Sequence, residues 1–205
     1  VGIVQGATRA RPGAPGYGVH FSRTMEVVAE DGRYPTCNIF YRRDALTEVG
    51  GFDESFRYAC GEDTDLAWRV KAAGYRSRFC REAVVVHEVR PPSFRLFLKE
   101  RRRFADQILL VKRHPHLRRF YYRRFFYGRS HVHALAGLIV VAAALAGVWP
   151  ALLLLPAIWL DRFRHTRLVG RPGERTMTVT RLLVGDLWEL VVFAYCSLRY
   201  RTLLL

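Results

Sequence analysis

The chain has 205 residues, of which 50% are hydrophobic, 13% aromatic and 25% charged. That composition excludes a disordered or collagen-like chain and suits one domain of ordinary size with an appendage. Lys and Arg number 33 against 18 Asp and Glu, and the net charge of +15 points to an anionic partner: nucleic acid, a phospholipid surface or a phosphorylated substrate.

In chain order, Val1–Gln5 reads as a strand with no charged leader before it, so the chain is read as part of a longer protein. The stretch up to residue 35 is loop-rich around Gly13-Ala14-Pro15-Gly16, with a short helix expected near Arg23–Glu30. Cys37–Tyr41 reads as a strand and Arg43–Val49 as a short helix stopped by Gly50-Gly51. Glu62–Ala73 is an amphipathic helix closed by Gly74, with Leu66, Val70 and Ala73 as its buried stripe. Tyr75–Phe79 and Ala83–His87 follow as strands, so residues 1–92 have the grammar of an α/β domain. Cys37, Cys60, Cys80 and Cys196 form no CxxC pair and read as reduced thiols rather than zinc ligands or a disulfide framework.

Pro91-Pro92 marks a boundary, and Ser93–Lys112 reads as one helix carrying Arg101-Arg102-Arg103. Residues 93–131 are basic and aromatic together, most densely in the run Arg118–Tyr127. Arg interleaved with aromatics can stack on single-stranded nucleic acid or anchor a helix at a membrane surface. The neighbouring segment favours anionic membrane lipids and no nucleic acid. Val132–Leu160 lacks Asp, Glu, Lys and Arg and is longer than the roughly 20 apolar residues of a bilayer crossing. Residues 132–160 are therefore expected as a transmembrane or re-entrant segment, interrupted at Trp149-Pro150 and Pro156. Residues 161–181 read as a basic loop and 182–205 as a second membrane-associated helix, with Asp186 and Glu189 on one helical face.

The densest acidic cluster is Gly61-Glu62-Asp63-Thr64-Asp65, at the entrance to a helix. Carboxylates there are favoured by the helix dipole and the free N–H groups, which accounts for them as caps. The same placement suits a general base, since an ionised and pre-positioned Asp accepts the proton of an attacking hydroxyl. Asp63-Thr64-Asp65 spells a metal-chelating DxD, but at a helix start rather than after a strand, and is read as a decoy.

The succession Cys37-Asn38-Ile39-Phe40-Tyr41-Arg42-Arg43, Val49-Gly50-Gly51-Phe52-Asp53-Glu54-Ser55-Phe56, Gly61 to Val70, Ala73-Gly74-Tyr75 and Val85-Val86-His87 resembles the C-terminal half of a family 2 glycosyltransferase catalytic domain. The resemblance implies a partial GT-A, Rossmann-like α/β fold, a nucleotide-sugar donor, a glycan acceptor, a divalent metal (Mg or Mn) and inversion at the anomeric carbon. It makes Asp63 the expected general base, with Glu62 shaping the acceptor site. Asn38, Gly51, Phe52, Asp65 and Arg103 are expected on the substrate side, and His87 at a metal or diphosphate site. Glu100-Arg101-Arg102-Arg103-Phe104 stands where processive synthases of the family carry Gln-x-x-Arg-Trp and keeps only the Arg, which speaks against processive polymerisation. Because no nucleotide-binding portion precedes Val1, the donor and most of the metal site are expected outside these residues, and these 205 residues alone are expected to be inactive.

Together these readings predict a glycosyltransferase domain followed by basic interfacial helices and a C-terminal transmembrane region. The enzyme would sit in the cell membrane with its catalytic part on the cytoplasmic face, using a lipid-linked or envelope glycan as acceptor. The alternative is a non-catalytic membrane interaction protein carrying a relic half-domain.

Overall fold

The computed structural model describes residues 1–166 and 172–205. The chain divides into two compact units, Val1–Ser93 with Leu109–Pro115, and Phe94–Ile108 with His116–Leu205.

In the first unit, β1 (Ile3–Ala10), β2 (Ile39–Tyr41) and β3 (Ser77–His87) form a three-stranded sheet in the order β2-β1-β3. β2 lies antiparallel to β1, with Ile3 opposite Tyr41, and β3 lies parallel to it, with Ile3 opposite Ser77. The parallel register slips between Gly6, which faces Cys80, and Ala7, which faces Val84. Asn38 bridges the slip: its Nδ2 donates to the Ala7 carbonyl at 2.7 Å and to the Ala83 carbonyl at 2.8 Å. Gly6 leaves the room for this, because a Cβ there would stand 2.3 Å from Asn38 Nδ2 and 2.5 Å from the Ala83 oxygen. Two separate strands were expected over 75–87; the bulge lets one continuous strand do both jobs.

α1 (Arg43–Glu48) and α2 (Glu62–Ala72) follow β2. Gly61 starts α2 at a φ of 103°, in the left-handed region that costs other residues roughly 1–2 kcal/mol. Acids in the first turn (Glu62, Asp63, Asp65) and bases in the last (Arg69, Lys71) both complement the helix dipole. Leu66, Ala67 and Val70 are buried against Ile3, Tyr34 and Ala45, and each larger apolar side chain so buried contributes roughly 1.5–3 kcal/mol. Ala73, expected in the stripe, is exposed because α2 ends at Ala72 and the backbone turns away; Ala67 takes its share of the face. The short helix expected near Arg23–Glu30 is instead extended chain, where Val27 exchanges two 2.9 Å backbone hydrogen bonds with Thr8.

The single helix expected over Ser93–Lys112 is three pieces: α3 (Phe94–Arg101), a 3-10 stretch Arg102–Asp106 that buries Ala105 and Asp106, and α4 (Gln107–Arg113). The aromatic and basic run 118–127 is irregular, with Arg123 and Arg124 both in the left-handed region at φ 49° and 68°. Within the second unit its Tyr127 ring packs on Phe104, Tyr121, His131 and Phe193, and Arg118 donates to the Arg124 and Leu203 carbonyls. These groups are engaged by the fold, and the expected interfacial helix for membrane lipids is not formed here.

The apolar segment Val132–Leu160 is also divided. α5 (Arg129–Leu145) has 17 residues, the chain turns at Gly147, Trp149–Leu154 forms a 3-10 stretch opened by Pro150, and α6 (Leu155–Arg164) begins with Pro156 near its start. α7 (Pro172–Tyr200) has 29 residues but carries Glu174, Arg175, Arg181, Asp186, Glu189 and Arg199. Among the described residues no helix is long and apolar enough to cross a membrane. The expected C-terminal transmembrane region is therefore corrected to helices that are too short (α5, α6) or too charged (α7) to cross. The predicted cell-membrane location with a cytoplasmic catalytic face, which rested on that region, is overturned with it. The fold is mixed α/β: a three-stranded sheet and seven α-helices with 3-10 stretches among the described residues. Of the basic loop expected over 161–181, residues 161–164 belong to α6 and 172–181 to α7, while Arg167 and Arg171 lie outside the described residues.

Two acids of α7, Asp186 and Glu189, are ion-paired inside the second unit. Glu189, 0% exposed, accepts from Arg101 of α3 at 2.6 Å and lies 3.2 Å from His131 Nε2. Asp186 is paired with Arg162 of α6 at 3.0 Å. At Gly185 a Cβ would meet the Phe97 ring at 2.5 Å, so this glycine permits α3 and α7 to cross closely. All four cysteines are free thiols.

Candidate functional site

The first turn of α2 presents two half-buried acids, Glu62 and Asp63. Asp63 Oδ1 accepts the Thr64 backbone N–H at 2.8 Å. Burial pushes the Asp63 carboxyl above the ordinary aspartate range, and the N–H groups of Thr64 and Thr36 only partly offset it. A carboxylate with raised proton affinity at a fixed helix start has what a general base requires. Tyr41, at the end of β2, brings a buried hydroxyl that lacks a hydrogen-bond partner among the described residues. Burial first, and then the negative charge of Asp63, push this phenol well above its ordinary value. Strand alternation alone gives Tyr41 no role; the charge of Asp63 reaches it only through the fold.

α2 is strapped down along its length. Thr64 Oγ1 donates to the Arg33 carbonyl at 2.6 Å and Trp68 Nε1 to the Gly32 carbonyl at 2.9 Å. Lys71 Nζ donates to Tyr34 Oη at 2.8 Å and Ser77 Oγ at 3.1 Å, and sits over the Tyr34 and Trp68 rings. Glu30 completes this cluster; burial opposes its charge, yet hydrogen bonds from Ser77 and Tyr34 and the Lys71 ammonium bring its carboxyl below the ordinary value.

Asp65, two residues after Asp63, is only 1% exposed and is consumed inside the fold. It accepts Arg69 Nε at 2.7 Å and faces His114 Nε2 at 2.9 Å. Burial opposes its charge, but His114 first and Arg69 next hold the carboxyl below the ordinary value. Arg69 also donates to the Val49 and Gly51 carbonyls, each at 2.8 Å. Gly51 thus lies in a turn anchored by Arg69, and Phe52 beside it projects outward, 52% exposed. Asn38, expected at the substrate, is 8% exposed with its amide nitrogen spent on the β1–β3 slip. Arg103 belongs to the second unit, 3.9 Å from Glu100.

His87 ends β3, its Nδ1 2.9 Å from the Glu88 carbonyl and 3.5 Å from Thr24 Oγ1. Among the described residues no group of three or more His, Cys, Asp or Glu comes together that could hold a metal ion. Asp63 and Asp65 do not converge as a chelating pair, since Asp65 turns to Arg69 and His114. The donor set present here does not fit a divalent metal.

Comparison with known proteins matches residues 20–168 to the model of glycosyl transferase family group 2. The chain is similar to a pre-mycofactocin glycosyltransferase of Mycobacterium tuberculosis, 45% identical over 56 residues, which is 27% of this chain and 12% of that protein. It is also similar to a galactofuranosyl glycosyltransferase of Leishmania donovani, 34% identical over 67 residues, 33% of this chain and 15% of that protein. The matched stretches thus span well under a fifth of these relatives' lengths. No solved structure matches.

Proposed function

We propose a sugar-transfer reaction for this chain, which belongs to glycosyl transferase family group 2, and assign its acceptor side to the first unit. The family in general transfers a sugar from a nucleotide-sugar donor to a glycan acceptor and depends on a divalent metal. In this reading Asp63 takes the proton of an acceptor hydroxyl while that oxygen bonds to the anomeric carbon. The bond from that carbon to the diphosphate oxygen breaks in line, so configuration inverts and the nucleoside diphosphate departs. The proton later passes from Asp63 to solvent. Glu62, in the same helical turn, shapes the acceptor pocket, and exposed Phe52 offers an apolar face for a sugar ring. No step is drawn through a metal, because these residues do not assemble a site for one. The lipid-linked character of the acceptor rested on the membrane anchor and is dropped with it.

The observation that carries this reading is the placement of Asp63: half-buried at a fixed helix start, with a proton affinity raised by burial. The test is Asp63→Asn in the full-length protein, assayed by nucleoside diphosphate release from UDP-, GDP- and dTDP-sugars with octyl glycosides as acceptors. Transfer is expected to fall by on the order of 10²–10⁴, the contribution of a general base. Because the folded-state carboxyl is raised above its unfolded value, its ionised form opposes folding at pH 7, so the same variant should melt no lower than the parent. Transfer within threefold of the parent would remove Asp63 from the chemistry.

A further inference from the structure

The chain leaves the first unit at Ser93 and returns to it as Leu109–Pro115, and that short return brings Arg113 and His114 against the 49–56 loop and Asp65. Arg113 is ion-paired with Asp53, donates to Ser55 Oγ at 2.8 Å, lies 5.1 Å from the Phe56 ring centroid, and brings Nη1 to 3.8 Å from Asp65. Next to it, His114 Nε2 is 2.9 Å from Asp65 Oδ1. Asp65 in turn holds Arg69, and Arg69 holds the carbonyls of Val49 and Gly51. The contacts close a ring: from the 49–56 loop through Arg113 to Asp65, and from Asp65 through Arg69 back to the start of that loop.

We infer that Arg113 and His114 are positioning residues, which lock the 49–56 loop and the first turn of α2 into one block. This inference rests on the reading of Asp63 as the base. Phe52 lies on the locked loop, and Asp63 sits two residues before Asp65 on the locked turn, so the ring sets the offset between the sugar-facing ring and the proton acceptor. Directional pairing is what such a task needs. A guanidinium presents its donors in a rigid fork, so it fixes angles as well as distances, whereas apolar packing of the same area would let the loop slide. Asp53 is held within the loop as well: hydrogen bonds from the Ser55 side chain and backbone, with a smaller contribution from Arg113, bring its carboxyl down to about 2. An error of about 1 Å between a base and its substrate can cost on the order of 10² in rate, so a ring remote from the reacting atoms can still control turnover.

The test compares Arg113→Met and Arg113→Lys in the full-length protein, with two readouts. Hydrogen–deuterium exchange at the amides of Gly51, Ser55 and Phe56 should quicken at least tenfold in Arg113→Met and less in Arg113→Lys. Amides of the β1–β3 ladder should stay within twofold, which shows that the unit is still folded. In the transfer assay with octyl glycosides, kcat/KM should fall by roughly 10–100-fold in Arg113→Met, through a raised acceptor KM as well as a lowered kcat, with partial rescue by lysine. Unchanged exchange at the loop overturns the clamp. Faster exchange with unchanged kinetics overturns the positioning role. Faster exchange in a full-length protein whose parent transfers no sugar overturns the transfer reading and leaves the clamp standing.

Discussion

Replacing Asn38 by alanine removes the donor that satisfies two main-chain carbonyls at the one irregular point of the sheet, Ala7 at 2.7 Å and Ala83 at 2.8 Å. Each bond is worth about 0.5–1.5 kcal/mol net, and a carbonyl left buried without a partner costs about 1–3 kcal/mol. Asn38 is 8% exposed and water has little access, so the expected loss is about 2–4 kcal/mol. With a urea m-value near 2 kcal/mol/M, the unfolding midpoint should drop by about 1–2 M. Unfolding of the first unit can be followed by Trp68 emission alone once Trp149, Trp159 and Trp188, all in the second unit, are replaced by phenylalanine. Asn38→Asp separates hydrogen bonding from packing, because a carboxylate keeps the volume but points oxygens at two carbonyl oxygens. It should be at least as unstable as the alanine variant at pH 7. A midpoint within about 0.3 M of the parent for both variants would refute the structural account and return Asn38 to the substrate side, where the motif had put it.

Three further outcomes are expected. Asp53 and Asp65 both have carboxyls depressed below the unfolded value of about 4, Asp53 to about 2, so the stability they supply is present above pH 4 and is lost as pH falls through 4 toward 2. Urea midpoints at pH 7, 4 and 2.5 check this, and Asp53→Asn should flatten the decline. Glu189→Leu should cost about 3–5 kcal/mol by leaving Arg101 partly buried without its partner, whereas the Glu189→Leu/Arg101→Met double variant should regain much of that loss; additive losses in a denaturation cycle would refute the pairing. Gly185→Ala drives a methyl into the Phe97 ring and should quicken hydrogen exchange along α3, an effect that Phe97→Ala should relieve.

The sequence by itself determined what depends on neighbours a few residues away. Gly61 with three acids in the next turn, and Arg69 and Lys71 at the far end, specify where α2 begins and ends, because dipole, cap geometry and glycine's left-handed freedom act within a single turn. Leu66 and Val70 lie on the buried face for the same reason, since helical periodicity is local. The order of short motifs around Asp63 likewise carried the family, which residues 20–168 match.

Tertiary structure alone decided what each polar side chain is spent on. The bonds of Asn38 join residues 31 and 45 positions away, and His114 meets Asp65 across 49 positions, so no window of sequence could distinguish a substrate ligand from a staple. The uncharged stretch 132–160 misled for a related reason. Hydropathy sums composition along the chain, but a crossing needs one unbroken helix. The turn at Gly147 and the prolines at 150 and 156 divide that apolar stretch among α5, a 3-10 segment and α6. Asp186 and Glu189 of α7, which as sequence were anomalies in an apolar helix, are the partners of Arg162 and Arg101. Their burial is tolerable only because those two arginines, distant in sequence, arrive with the opposite charge.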